Sequence, residues 1–273
     1  MLKYILLTTF IFCCTLFSQA QHPPVFEGIQ TDTSVIQLNN LKINLVKYSY
    51  GKPNIHFLAI HDDEDTGIRA AFEYIRFSGG TIIDSQYGNT RNYKFAHKGL
   101  NFQTDPNSIY SYEGIVMGLE KYGNIDSDEV VEKLQETSRS VLDYYRADQH
   151  GYMFTLHNNA DGGFGITSYL KGYPLEKTAD SVHVNFEMDP DDLILVTELA
   201  LFNNFKKQNV NVVLQSEGGP EDGSLSVYAM YKKIPYINVE VQHGHDYEHL
   251  RLIEIAIKVL HETYPHLKQK ATE

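Results

Sequence analysis

Six short runs of apolar, β-branched or aromatic residues, separated by stretches of helical periodicity, set the tightest limit on how this chain can fold. They cover 43–48, 55–60, 81–84, 152–156, 210–214 and 236–240. Strands of that length alternating with helices specify an α/β sandwich, in which a mixed, largely parallel central sheet is flanked by helices. Four helices are expected. One covers 67–77, capped by Thr66 and stopped by Ser78-Gly79-Gly80, and a second runs from Asp126-Ser127-Asp128 to about 146. A third spans 191–207, opened by Asp191 and Asp192, and the last covers 246–264, with Leu250, Ile253, Ile257 and Leu260 as one apolar stripe. Residues 86–111, rich in Asn, Gly and Tyr, read as long ordered loops, and 21–34 as an irregular lead-in.

The first twenty residues have the form of a signal peptide: Lys3 as the charged start, an apolar stretch over 4–17, and Ser18-Gln19-Ala20 as a small-residue cleavage site. A secreted or periplasmic protein is therefore expected, with a single domain over 21–273 and no membrane span after cleavage. Cys13 and Cys14 both fall inside the leader, so the mature chain has neither disulfides nor thiolate ligands. Stability has to come from a core, which an apolar fraction of 42% can fill. Lys3 is the only charge in the leader, so the net charge of −12 becomes −13 on cleavage. Such an acidic balance argues against nucleic acid and anionic membrane partners.

Three of the strands end in residues suited to metal chemistry. The run 55–60 delivers His61, 152–156 delivers His157, and 236–239 delivers Glu240. In α/β sheets the carboxyl ends of the strands line the ligand crevice. His61 and Glu64 form a His-x-x-Glu pair, and with His157 they make the two-His, one-carboxylate set that catalytic zinc takes, leaving one position open. Glu240 is left over as a general base. His-x-x-Glu alone is a weak signal, and it recurs at His245 and Glu248. There His245 and His249 stand one helical turn apart, either as a second metal site or as the polar cap of a surface helix. His243 and His245 could also line a rim near Glu240. Asp62 or Asp63 could orient a metal-bound imidazole or simply form a solvated turn.

The order His-x-x-Glu, an Asn-containing loop, His, then Asp222-Gly223-Ser224 and a strand-borne Glu240 resembles the zinc carboxypeptidase superfamily, including its succinylglutamate desuccinylase and aspartoacylase relatives. The resemblance spans about 55–241. It implies Zn2+ held by His61, Glu64 and His157, Glu240 as base and proton shuttle, and Tyr228 as the Tyr that closes over substrate. It also implies substrate contact by Asn107, where such enzymes typically carry Asn-Arg. Here Ser108 replaces the Arg, which removes a permanently charged, bidentate clamp for a carboxylate. Arg91 is the best local substitute, either gripping an anionic group or polarising a carbonyl, and Lys98 is a weaker one. The expectation is a zinc hydrolase cleaving an amide bond in a peptide or N-acyl amino acid. The alternative is a non-catalytic binding domain for peptides or peptidoglycan fragments, which the change at Ser108 favours.

Overall fold

The computed structural model describes residues 22, 25–124 and 127–270, so the expected leader with Cys13 and Cys14 lies outside the described residues, as does Asp126. The strands are β1 (Gln30–Leu38), β2 (Leu41–Tyr50), β3 (His56–Ala59), β4 (Gly80–Gln86), β5 (Tyr93–His97), β6 (Leu100–Thr104), β7 (Met153–Asn159), β8 (Ala179–His183), β9 (Leu193–Val196), β10 (Val212–Gln215) and β11 (Tyr236–Gln242). The helices are α1 (Asp65–Ser78), α2 (Tyr112–Lys121), α3 (Asp128–Tyr145), α4 (Ala147–His150), α5 (Leu199–Lys207), α6 (Leu225–Lys232), α7 (Asp246–Thr263) and α8 (Pro265–Lys270). Nine strands form one sheet in the order β1-β2-β4-β3-β7-β11-β9-β10-β8, and β5 and β6 form a separate hairpin.

The centre of the sheet, β4-β3-β7-β11, is parallel, and antiparallel pairs flank it on both sides. This is the mixed, largely parallel sheet that the alternation of strands and helices requires. Parallel strands need crossover helices, which cover both faces and explain why the central runs are almost wholly apolar. The period of two sorts their side chains. Phe57, Ala59, Phe154, Leu156, Ile237 and Val239 enter one core with Ile68 of α1, Phe202 of α5 and Ile253 of α7. Leu58, Ile60, Met153 and Tyr236 enter the opposite core with Ile115 of α2, Leu134 of α3 and Leu225 of α6.

Four segments differ from the sequence-based expectation. Asp191 and Asp192 open a strand rather than a helix: Leu193–Val196 is four buried apolar residues, and the helix starts only at Leu199. The acids serve neighbouring loops instead, Asp191 Oδ2 accepting from Gly162 N–H at 2.6 Å and Asp192 Oδ1 from Gln242 N–H at 3.0 Å. The lead-in becomes ordered before Ser34, because β1 pairs along its length with β2. Earlier still, the His22 ring bridges Asp84 and Asp65 at 2.7 Å each, tying the lead-in to the first turn of α1. Thr66 does not cap α1; it lies inside the helix, and its hydroxyl accepts from Gly244 N–H at 2.9 Å.

Residues 86–111 are not loop throughout. They contain the β5–β6 hairpin, whose turn residues Lys98 and Gly99 both take positive φ, as a two-residue hairpin connection prefers. Lys98 Nζ meets Glu129 at 2.6 Å on the surface, which removes it as a substrate cation. Among the described residues, no helix is long and apolar enough to cross a membrane.

Two glycines let α2 pack closely on its surroundings, Gly114 on backbone and Gly118 on the side chains of Ser108 and Thr104. A Cβ at Gly114 would fall 2.7 Å from the Asp222 carbonyl oxygen and closer still to the Gly223 backbone. Because backbone cannot yield as a side chain does, Gly114→Ala should lower stability by about 1–3 kcal/mol despite the better helix propensity of Ala. Urea unfolding checks this: the midpoint should fall, and an unchanged or raised midpoint contradicts the packing.

Candidate metal centre

Register brings the chemistry together. β3 and β7 pair through Leu58 and Thr155, and β7 and β11 pair His157 with Glu240. Since Phe154, Leu156, Ile237 and Val239 face the core behind, Thr155, His157, Asn238 and Glu240 all stand on the other face. At the end of β3 the chain passes through His61 to Glu64, which precedes the first turn of α1. Asn158 locks this corner to β7: its N–H donates to Glu64 Oε2 at 3.2 Å, and its Oδ1 accepts from Thr66 N–H at 3.1 Å.

His61, Glu64 and His157 are buried, and one ligand atom from each lies within 4.8 Å of the others. His61 Nδ1 is 2.9 Å from Glu64 Oε1 and 3.0 Å from His157 Nδ1, which is itself 2.9 Å from Glu64 Oε2. Protons alone satisfy this trio poorly. If both Nδ1 atoms donate to the carboxylate, two N–H groups confront each other; if one accepts, its bond to Glu64 is lost. A cation bound by all three lone-pair atoms removes the conflict and displaces the protons. His157 Nε2 is also buried and finds no hydrogen-bond partner among the described residues, so protein groups do not complete this imidazole. The donor set fits a divalent transition metal.

The partner of His61 is Asp105, whose Oδ1 lies 2.8 Å from Nε2. That contact orients an imidazole as metal-ligating histidines require. Asp62 and Asp63 do not fill this role. Asp62 turns the other way, accepting from the backbone N–H groups of Tyr87 and Asn89, while Tyr87 OH donates to the Arg91 carbonyl at 2.8 Å. Asp62 thus draws the 87–91 loop over the site. Asp63 is exposed. Nothing in the local sequence marked Asp105; it lies 44 residues from His61, next to Pro106 and Asn107, and only the tertiary fold joins them.

Electrostatics follow from burial and these contacts. Burial pushes His61 down, but Glu64 and Asp105 outweigh it and raise the imidazole to about 9. Burial pushes Glu64 up, yet His61 and His157 pull it well below the usual carboxylate range. His157 stays depressed, because its burial exceeds the pull of Glu64. Glu240 rises to about 8, through burial first and the nearby charge of Glu64 second. Asn238 Nδ2 donates to Glu240 Oε2 at 3.3 Å, and Asn238 Oδ1 accepts from Thr155 Oγ1 at 3.1 Å.

A cleft of about 690 Å3 opens over these groups, and His61, Glu64, His157, Glu240, Arg91 and Asn107 all line it. Arg91 donates to Glu64 and lies 3.7 Å from Asp105 Oδ2, with about half its side chain exposed. Asn107 Oδ1 accepts from Leu225 N–H at 3.0 Å, leaving its amide nitrogen as the donor. Tyr228 is not brought to this cleft. Residues 225–232 form a helix capped by Ser224 rather than an open aromatic segment, and its phase turns Ser226 inward. Tyr228 instead packs near Tyr110, with ring centroids 6.2 Å apart, in a separate surface depression. Tyr169 and Tyr236 are the tyrosines that line the cleft. The histidines after β11 also separate. His243 lines the cleft, His245 approaches Asp192, and His249 is fully buried against Gly67, so no second metal cluster forms among the described residues.

No protein-family model matches the chain, and no curated protein matches it. Several solved structures align with most of the chain at low similarity. A "putative metallopeptidase" from Shewanella denitrificans OS217 is 12% identical, with 88% of this chain and 84% of that one covered and a TM-score of 0.40. One from Shewanella baltica OS155 is 11% identical, covering 89% and 87%, with a TM-score of 0.39. Another from Shewanella amazonensis SB2B is also 11% identical, covering 86% and 85%, with a TM-score of 0.34. The chemistry of the cleft therefore rests on its own geometry.

The elevated Glu240 makes a prediction about stability. Its folded value of about 8 lies above the ordinary 4.5, so between those pH values the folded state holds a proton that the unfolded state has lost. The contribution of Glu240 to stability is intact below that window and declines as pH rises through it. In metal-free protein, Glu240→Gln should gain stability relative to the parent between pH 5 and pH 8.5, measured as urea midpoints at each pH (about 4 and 8 bracketing the change). A difference that does not vary with pH contradicts the buried, protonated Glu240.

Proposed function

We propose that this chain is a secreted or periplasmic zinc-dependent hydrolase that cleaves an amide bond in a peptide or an N-acyl amino acid. The carrying observation is the convergence of buried His61, Glu64 and His157 on the floor of one cleft, with Glu240 at the register position beside His157. The resemblance to zinc carboxypeptidases supports the same reading. Its location is supported by the charged start, apolar stretch and small-residue end of residues 1–20.

Bound by His61, Glu64 and His157, zinc supplies Lewis-acid activation of water and of the scissile carbonyl. The chain's own residues do the rest. Glu240 takes the proton of the attacking water and delivers it to the leaving amine. Asn238 fixes the carboxyl through Oε2. Arg91, held by Glu64 and Asp105, presents its exposed part to the substrate carbonyl, and Asn107 offers its amide nitrogen. Asp105 sets the orientation of the His61 ring.

Metal-replete mature protein should contain about one zinc per chain, and His157→Ala should lose metal and activity while remaining folded. Asp105→Asn should weaken zinc affinity by about 10–100-fold, read by competition with a chelator. Glu240→Gln should retain zinc and lose turnover by roughly 10²–10⁴-fold. A replete protein without zinc, or a Glu240→Gln variant with normal turnover, overturns the assignment. Zinc retention without turnover on a broad panel of peptides and acyl-amino acids would favour the non-catalytic binding domain.

A further inference from the structure

Resting on that reading, we propose that the cleft selects substrates bearing a positively charged amino group near the scissile bond and does not depend on a free carboxylate there. Charge points this way. Glu64 and Glu240 line the interior with Asp105 bonded behind them, while Asp63 and Asp222 line the cleft from the loops before α1 and α6. Against these carboxylates, Arg91 is the one guanidinium or ammonium of the lining among the described residues. Its charge is already engaged by Glu64 and Asp105. With Asp105 counted behind the lining, a divalent cation still leaves the site negative, whether or not Glu240 is ionised. A cleft with walls of one sign concentrates ligands of the other.

The position from which a cation would be expected cannot supply one. Ser108 does not line the cleft. Its hydroxyl donates to the Asp105 carbonyl at 2.9 Å and points at α2, where Gly118 has no room even for a Cβ: that atom would meet Ser108 Oγ and lie 2.8 Å from Thr104 Oγ1. The Ser108 carbonyl likewise abuts the backbone of Gly223. A long basic side chain at 108 would run into the helix rather than the cleft.

Beyond Glu240, the register carries the floor from Asn238 to Leu195 on β9 and on to Val213 on β10, and Gln215, two residues further along β10, lines the same cleft. Ser226 reaches Gln215 Oε1 at 3.3 Å, so this end is closed by neutral hydrogen-bonding groups and offers no counter-charge for a carboxylate. The unengaged charges are acidic: Asp63 is exposed with no partner among the described residues, and Asp222, also exposed, accepts only from the N–H of Ser224 at 2.9 Å.

The test uses the zinc-loaded full mature chain and one dipeptide in three forms: free amine with amidated C-terminus, acetylated with free carboxylate, and blocked at both ends. The amine form should exceed the carboxylate form in kcat/KM by about tenfold, mainly through KM. That advantage should shrink several-fold as ionic strength rises from about 0.01 M to about 1 M, over which the screening length falls from roughly 30 Å to roughly 3 Å. Asp63→Asn, Asp222→Asn or their combination should move the ratio towards unity. Turnover of the blocked form, with the carboxylate form equal to or better than the amine form, overturns the charge selection and leaves the hydrolase reading standing. If none of the three is hydrolysed, calorimetric binding of the same peptides decides: tighter binding of the amine form upholds the selection, and equal or tighter binding of the carboxylate form ends it.

Discussion

Glu64 carries a carboxylate almost entirely withdrawn from water, and such a group persists only where donors or cations surround it. Its neighbours come from distant parts of the chain: His61 from the end of β3, His157 and the Asn158 N–H from β7, and Arg91 from the loop after β4. Satisfying one carboxylate therefore fixes three segments relative to one another. The same contacts leave two imidazole Nδ1 atoms 3.0 Å apart, an arrangement that protons serve badly and a metal ion serves well. Structural need and metal affinity thus arise from the same atoms.

The sheet explains why these atoms meet. In a parallel block all strands end on the same side, so polar residues placed at or just beyond the ends of β3, β7 and β11 arrive at one edge. Beyond β11 the sheet turns antiparallel to β9, and this junction extends the floor sideways to Leu195 and Gln215. A purely parallel continuation would need another crossover helix at this point. Instead, the chain enters β9 from a loop in which Asp191 and Asp192 bind backbone N–H groups, a use of acids that resembles helix capping in sequence but not in structure.

Much of the metal trio was legible because period-two burial is a local signal. An apolar run followed by His61 or His157 announces where a strand stops. Glu240 was legible for the complementary reason, as a carboxylate at the end of a run that otherwise reads as core. Asp105 was not, because its bond to His61 depends on how the β6 end and the β3 end approach in space. Tyr228 failed through phase: Ser224 caps a helix, and on a helix two residues separate nearly opposite sides, so Ser226 lines the cleft and Tyr228 leaves it. The β5–β6 hairpin was hidden by its composition, since Asn, Gly and Tyr resemble a loop until the stacked pair Phe95 and Phe102 is seen across the strands.

The close approach of α2 links stability to the site. Gly114 and Gly118 stand one helical turn apart and together let α2 rest on the 222–223 backbone and on Ser108. The short turn bearing Ser108 is capped by Asp105, whose Oδ1 receives the Asn107 N–H at 2.8 Å while also facing His61 Nε2. Packing Gly118 against this turn, with Gly114 on the neighbouring 222–223 backbone, thereby holds the carboxylate that orients one candidate ligand. The same packing excludes a long side chain at position 108. The feature that fixes the His61 ring is thus physically the feature that keeps a long side chain at 108 out of the cleft, and a substitution introducing an arginine would have to sacrifice the support beneath Asp105.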